Sequence, residues 1–223
     1  MNRQVKRLMI SAAALMLVAA PAVQVEAWGS SGHRVIGVAA MRHLPGDLPA
    51  FLRTAGAAAD VGEYSREPDR WKGAGQPHDR ERDTAHFVDM DDEGRVMDAR
   101  GMTMADLPRL KSEYDATLIR AGLDVDKAGY LPYAIMDAWQ NLERDFAYWR
   151  VLTAAEAREP DLAKQAWYRA DRERREQLIL RDIGVLSHFV GDASQPHHTT
   201  IHFNGWAGET NPEGFPKSRR THG

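Results

Sequence analysis

Ser187-His188-Phe189-Val190-Gly191-Asp192-Ala193-Ser194-Gln195-Pro196-His197-His198 places a histidine, a carboxylate four residues later, and two more histidines beyond a proline. Upstream of it, Leu178, Ile179, Ile183, Leu186 and Phe189 recur at helical spacing, which predicts a helix running into the stretch. On that helix His188 and Asp192 share one face. Pro196 ends or bends it, because the ring clashes with the preceding turn and lacks an N–H. His198 is thereby thrown back across the helix end. A His, a carboxylate one turn on and a second His after a break can grip one metal or bridge two. Taken alone, His188 also reads as a packed core histidine ahead of a helix-ending turn.

Working outward, the pattern stays helical. Ile135, Trp139, Leu142, Phe146 and Trp149 recur at spacings of 4, 3, 4 and 3, the clearest amphipathic helix of the chain, with its aromatics expected in the core. Between it and the motif, residues 169–176 form a charged run expected to be a solvated helix face. Residues 104–121 read as a helix with Leu107, Leu110, Tyr114 and Leu118 on one side, broken by 122–129. A first helix carries Val35, Ile36, Val38, Ala39 and Met41 and ends near Leu44-Pro45-Gly46; 48–59 reads as a second, short one. Residues 61–82 hold glycines, prolines and charges with no helical period, and read as a long functional loop. No repeat and no strand pair emerges. The expectation is an all-α, single-domain, multi-helix bundle.

The N-terminus stands apart from this bundle. Arg3, Lys6 and Arg7 precede an apolar run, 8–18, too short to span a bilayer comfortably, and Val25-Glu26-Ala27 is a small-x-small cleavage site. Residues 1–27 therefore read as a signal peptide, with the functional domain at 28–223 exported to the periplasm or secreted. The mature chain is expected to lack a transmembrane segment and to be a monomer. Cleavage removes three basic residues and Glu26, taking the formal charge from −3 to −5. That is not the footprint of a protein gripping nucleic acid with lysines, so an anionic substrate would need positive charge from elsewhere, and bound metal is one source. With no cysteine, thiolate sites and cysteine nucleophiles are excluded, and any metal must rest on His, Asp, Glu or main-chain groups.

Other ligand-type residues join the motif. Cleavage before Trp28 would free an amine that, with the Trp28 carbonyl, can chelate a metal, with His33 as a further ligand; the alternative is a surface tryptophan and a helix-start histidine. Asp69, in Pro68-Asp69-Arg70-Trp71, reads as a ligand or as a turn former. His78-Asp79 reads as loop. His86 sits in Ala85-His86-Phe87-Val88-Asp89, as ligand or core histidine. Asp91-Asp92-Glu93-Gly94 is an acidic turn without the ligand spacing of a calcium loop. After the motif, His202 and Trp206 lie in loop sequence, and His222 stands one residue from Gly223.

Together these pieces resemble one family, the zinc-dependent single-strand-specific nucleases and the zinc-dependent bacterial phospholipases C. Trp28 after the cleavage site looks like the family's N-terminal Trp, and Gly32-His33 follows at the spacing of the nuclease branch. His86-Phe87-Val88-Asp89 resembles its His-Phe-x-Asp segment. His188, Asp192 and His198, with Gly191, Gln195 and Pro196, fall on its His-x3-Asp-x5-His signature. The resemblance implies a trinuclear zinc site in a cleft. One Zn2+ would be held by Trp28, His33 and Asp192, a second by Asp69, His86, His188 and the bridging Asp192, and a third by His198 and His222. Asp60 competes with Asp69, which Tyr64 and Pro68-Asp69 favour through their likeness to the phospholipase pattern. The family's third zinc also takes an acidic residue four positions after the final His. That position would fall beyond Gly223, so the third site is expected to be incomplete and the C-terminus truncated.

The implied activity is phosphodiester hydrolysis. Two metals about 3.5–4 Å apart can share a water, lower its pKa and present a bridging hydroxide for in-line attack on phosphorus. The resemblance adds Asp69 as a residue that orients or deprotonates that water. The leading expectation is a nuclease or 3′-nucleotidase acting on single-stranded nucleic acid or nucleotides, bound by stacking rather than by a basic surface. The alternatives are a phospholipase C acting on a phospholipid headgroup and an inactive zinc-binding remnant.

Overall fold

The computed structural model describes residues 29–217, so Trp28, His222 and the expected signal peptide lie outside the described residues. The chain is mostly helical, and among the described residues the only β pairings are the isolated bridges Met90–Val96 and Arg95–Thr103.

Its spine is an antiparallel pair of long helices, α7 (Leu131–Arg158) and α8 (Leu162–Ala193). Pro132 sits in the first turn of α7, where its missing N–H costs nothing. Asp161 caps α8, its side chain accepting from the amides of Ala163 and Lys164. The helix α8 ends at Ala193, and Pro196 opens a single 3-10 turn, Pro196–His198, so the chain turns where the proline was expected to turn it. The charged run is less solvated than expected: Arg172 bridges Glu156 of α7 and Glu176 of α8, Arg169 pairs with Glu156, and Trp149 donates its indole N–H to Glu176. Among the amphipathic positions of α7, Leu142 is buried, but Trp139 is 47% exposed, so it does not belong to the core.

Two helices cross the C-terminal half of α8: α1 (Ser30–Arg42) and α2 (Ala55–Tyr64). The second helix was expected over 48–59. Instead 50–53 form a 3-10 turn, and Thr54 starts α2 afresh by accepting from the Ala57 amide. The expected long loop over 61–82 is also corrected. The helix α2 continues to Tyr64, and short helices α3 (Glu67–Arg70) and α4 (His78–Asp83) follow. Local ion pairs such as Arg70–Glu67, and Asp79 accepting from the Gly73, Ala74 and Gly75 amides, hold these turns without an apolar period. The helix expected over 104–121 begins later, as α5 (Lys111–Arg120), and the break after it holds a one-turn helix, α6 (Val125–Ala128).

The core has two parts that meet on α8. Met41, Leu52, Val61, Leu142 and Ile179 pack where α1, α2, α7 and α8 converge. Val88, Val96, Tyr114, Leu118, Leu131 and Phe189 pack around the start of α7 and the end of α8. Leu186 touches both, which places the motif end of α8 at the centre of the molecule.

Candidate metal centre

The helix α8 brings His188 and Asp192 onto one face, and both are fully buried. Their surroundings come from three other segments. His33 enters from α1, Asp69 from α3, and His86 from the 3-10 turn Thr84–His86. His86 Nδ1 lies 3.1 Å from Asp192 Oδ2 and 3.0 Å from His188 Nε2, and His188 Nε2 is 3.2 Å from the same Oδ2. On the other side of the carboxylate, His33 Nε2 is 3.3 Å from Oδ1, close but not aligned as a hydrogen bond. The rings of His33 and His188 stack at 3.7 Å. Asp69 Oδ1 is 4.0 Å from His86 Nδ1 and 3.3 Å from Lys72 Nζ. His198 Nδ1 is 3.9 Å from Asp192 Oδ1.

Main-chain carbonyls orient two of these histidines. His188 Nδ1 donates to the Ser65 carbonyl at 2.8 Å, which leaves Nε2 as the lone-pair nitrogen facing the cluster. His198 Nδ1 donates to the His86 carbonyl at 2.7 Å, making Nε2 its lone-pair atom. The segment 84–89 is itself stitched in place. The amide of Val88 donates to His198, that of Asp89 to Ala128, that of Leu131 to Phe87 and that of Tyr130 to Thr84. Gly129 makes this approach possible: its φ is +79, and a Cβ there would run into the Phe87 carbonyl.

Glycines also let α8 come close. A Cβ at Gly184 would lie 2.5 Å from Tyr64 Cβ and 2.9 Å from the Ser65 amide, so the end of α2 can rest on α8 only because position 184 is bare. Gly191 stands against His33 Nδ1 in the same way, at 3.3 Å.

His86 Nδ1, His188 Nε2 and Asp192 Oδ2 form a triangle of 3.0, 3.1 and 3.2 Å, all buried. Three lone-pair atoms this close repel unless a proton or a cation sits among them. A tetrahedral ion with bonds near 2.0–2.1 Å spaces its ligand atoms ~3.3 Å apart, within a few tenths of an ångström of this triangle. Among the described residues, buried Asp192 Oδ1 has no hydrogen-bond partner, a cost that a further cation beside the carboxylate would offset. His33, Asp69 and His188 form a second group, whose ligand atoms lie within 4.8 Å of one another. These His and Asp groups are close enough to hold a metal ion. Burial opposes ionisation of Asp192, but the facing His188, His33 and His86 outweigh it and hold its carboxyl far below the usual range. Burial pushes His86 down, with Asp192 countering in part.

The structure thus brings together His33, Asp69, His86, His188 and Asp192, with His198 at the edge. Of the two aspartates weighed for one position, Asp69 is the one in this cluster; Asp60 lies exposed on α2. His78 pairs with its neighbour Asp79 at the start of α4, and His202 pairs with Asp92 and stacks on Trp206. Trp28 and His222 cannot be placed, since both fall outside the described residues. Sequence reasoning missed Ser65, Gly184 and Lys72. Ser65 acts through its carbonyl and leaves no sequence signal; Gly184 could have been noticed as a bare position four residues before His188 on the motif helix.

A scan against protein-family models, a search of curated proteins and a search of solved structures each return no match to this chain. No helix among the described residues is long and apolar enough to cross a membrane.

Proposed function

We propose that this chain is an exported zinc-dependent phosphodiester hydrolase of the nuclease or 3′-nucleotidase type. The observation that carries the reading is the convergence of His33, His86 and His188 on the two oxygens of one buried carboxylate, Asp192. With Oδ1 turned toward His33 and Oδ2 toward His86 and His188, Asp192 is disposed to bridge two ions. An all-nitrogen and oxygen donor set in a chain without cysteine suits Zn2+. Bound there, zinc would supply an acidified water and positive charge for a phosphate, which the expected mature chain of net charge −5 otherwise lacks.

The protein's own groups then have distinct parts. Asp69 is half-buried at the edge of the cluster, accessible where the histidines are not, and is assigned the task of orienting or accepting a proton from the attacking water. Lys72, 3.3 Å from it, holds that carboxylate in place. His198, with His222 and Trp28, is assigned to the further zinc ligands. The five-residue step from Trp28 to His33 resembles the nuclease branch of the family, and that resemblance favours single-stranded nucleic acid or nucleotide substrates over a phospholipid headgroup.

The test is zinc content by elemental analysis of the mature chain, followed by side-by-side assay of single-stranded DNA, RNA and phosphatidylcholine. Two or three zincs per chain with chelator-sensitive cleavage of nucleic acid are expected. Preferential cleavage of phosphatidylcholine would move the chain to the phospholipases C. Tightly bound zinc without any turnover would make it a zinc-binding remnant, and absence of zinc would sink the proposal.

A further inference from the structure

A trough of about 880 Å³ runs between α1 and α2, on the side of α1 away from His33. None of the residues lining it belongs to the candidate metal centre. Its floor is apolar: Met41 and Leu52 are buried, and Val38 and Ala58 are half-buried. Its walls are small and aliphatic, with Ala39 and Ala55 exposed and Val35 67% exposed. Apolar surface left open in this way marks a contact that the described residues do not make.

The charge in the trough has one sign. Arg34, Arg42 and Arg53 line it, with no acidic residue and no aromatic ring. Arg34 is already paired, 2.9 Å from Glu63. Arg42 and Arg53 have no ion pair among the described residues. The two helices run antiparallel: a Cβ at Gly62, near the end of α2, would lie 3.2 Å from the Arg34 carbonyl, near the start of α1. Arg42, the last residue of α1, therefore stands by the start of α2, where Arg53 and Thr54 are. Thr54 Oγ1 accepts from the Ala57 amide and keeps its hydroxyl hydrogen to donate. One end of the trough thus carries two unpaired guanidinium groups and a hydroxyl. From there it extends eight residues back along α1 to Arg34, about 12 Å at the helical rise.

This distribution discriminates between occupants. A nucleobase or a quaternary ammonium wants aromatic faces, which the trough lacks, and its arginines repel a cation. A bilayer surface is met by a face carrying Trp and Tyr at headgroup level, not by a concave aliphatic one. A stable protein partner covers about 20–30 residues a side, whereas fourteen line the trough. Its volume falls within the about 300–1,000 Å³ of small-ligand sites. An alkyl chain fills an aliphatic channel, and a carboxylate at its end matches the planar fork of Arg. We propose that the trough binds a free long-chain carboxylate, one molecule per chain. The alkyl chain lies along Val38, Ala39, Ala55 and Ala58, and the carboxylate rests on Arg42 and Arg53. The site stands whether or not the neighbouring cluster is a hydrolase centre.

The experiment is calorimetric titration of the full chain with laurate, butyrate and dodecyltrimethylammonium, each below its micelle concentration. A chelating buffer ensures that no carboxylate is held through metal. Saturable binding of one laurate is expected, with neither other probe matching it, because butyrate lacks the chain and dodecyltrimethylammonium lacks the anion. Arg42→Ala and Arg53→Ala, both at exposed positions, should each weaken laurate about tenfold, the value of one charge-assisted contact. Ala39→Trp should fill the trough and abolish binding; helical circular dichroism identifies any variant that fails to fold, and the two arginine variants then carry the test. Butyrate or dodecyltrimethylammonium binding as tightly as laurate would overturn the proposal, as would unaltered laurate affinity in both arginine variants or in folded Ala39→Trp. A dimer in sedimentation that Ala39→Trp dissociates would give the trough to a second copy of the chain and overturn it too.

Discussion

Gly184→Ala tests how the candidate metal centre is built. Alanine in a helix interior normally stabilises by about 1 kcal/mol over glycine. Here the added Cβ would lie 2.5 Å from Tyr64 Cβ, 2.8 Å from the Tyr64 carbonyl carbon and 2.9 Å from the Ser65 nitrogen. Relaxed carbon contacts fall at about 3.5–4.0 Å, so the end of α2 must retreat by about 1 Å. Two of the three atoms are backbone, and no rotamer change relieves them. Overpacking of this kind costs about 1–3 kcal/mol, and the loosened Ser65–His188 hydrogen bond adds about 1 kcal/mol. Set against the propensity gain, the net is a loss of about 2 kcal/mol. The same retreat frees the His188 ring, and disturbing a partner that orients a metal-binding histidine costs about 10–100-fold in metal affinity. The assay is urea unfolding together with zinc affinity by competition with a chromophoric chelator. Gly56→Ala is the control, because a Cβ there meets only Thr54 Oγ1 at 3.9 Å and should be neutral or stabilising. If Gly184→Ala matches that control in stability, the close approach is wrong; if stability falls and zinc affinity does not, the Ser65 carbonyl does not orient His188.

Asp192→Asn keeps the shape of the side chain but removes the charge that faces three histidines, and dialysed protein is expected to lose the proposed zinc; full retention by elemental analysis would refute the bridging role. Gly129→Ala should cost about 3 kcal/mol in urea unfolding, since alanine is strained at φ +79 and its Cβ displaces the Phe87 carbonyl. Asp182 is the pH-sensitive position: burial and the neighbouring Asp145 push it up to about 6, while Arg175 and Arg144 lie 2.8 and 3.2 Å from Asp145 and Arg181 lies 3.3 Å from Asp182. The folded chain binds this proton more tightly than the unfolded chain, so the contribution is present at about pH 4 and is lost as pH rises through about 6. Asp182→Asn should therefore raise stability by about 2 kcal/mol at pH 8 and change it little at pH 4; an equal effect at both, by denaturant unfolding, would refute the reasoning.

Helices with an apolar period were legible in the sequence. Ile135 to Trp149 and Leu178 to Phe189 lie on α7 and α8, since a 3.6-residue repeat is a local property that packing has only to accept. Elements without such a period were not legible. The helices α3 and α4 are one or two turns closed by ion pairs and by the Asp79 side chain, and their composition reads as loop. Trp139 shows the limit of periodicity, which marks a face but not whether another element covers it.

The sequence by itself determined that His188 and Asp192 stand one helical turn apart, that Pro196 turns the chain back after them, and that no thiolate takes part. These follow from bonding between residues a few positions apart. Only the tertiary structure decided which distant groups meet that pair. His33, Asp69 and His86 reach it because α1, α3 and the 84–89 segment pack around the end of α8, and glycines at 129, 184 and 191 let backbones and rings approach to contact distance. The Ser65 and His86 carbonyls, which aim His188 and His198, are main-chain atoms that every residue carries, so their role arises only from where the folded chain places them.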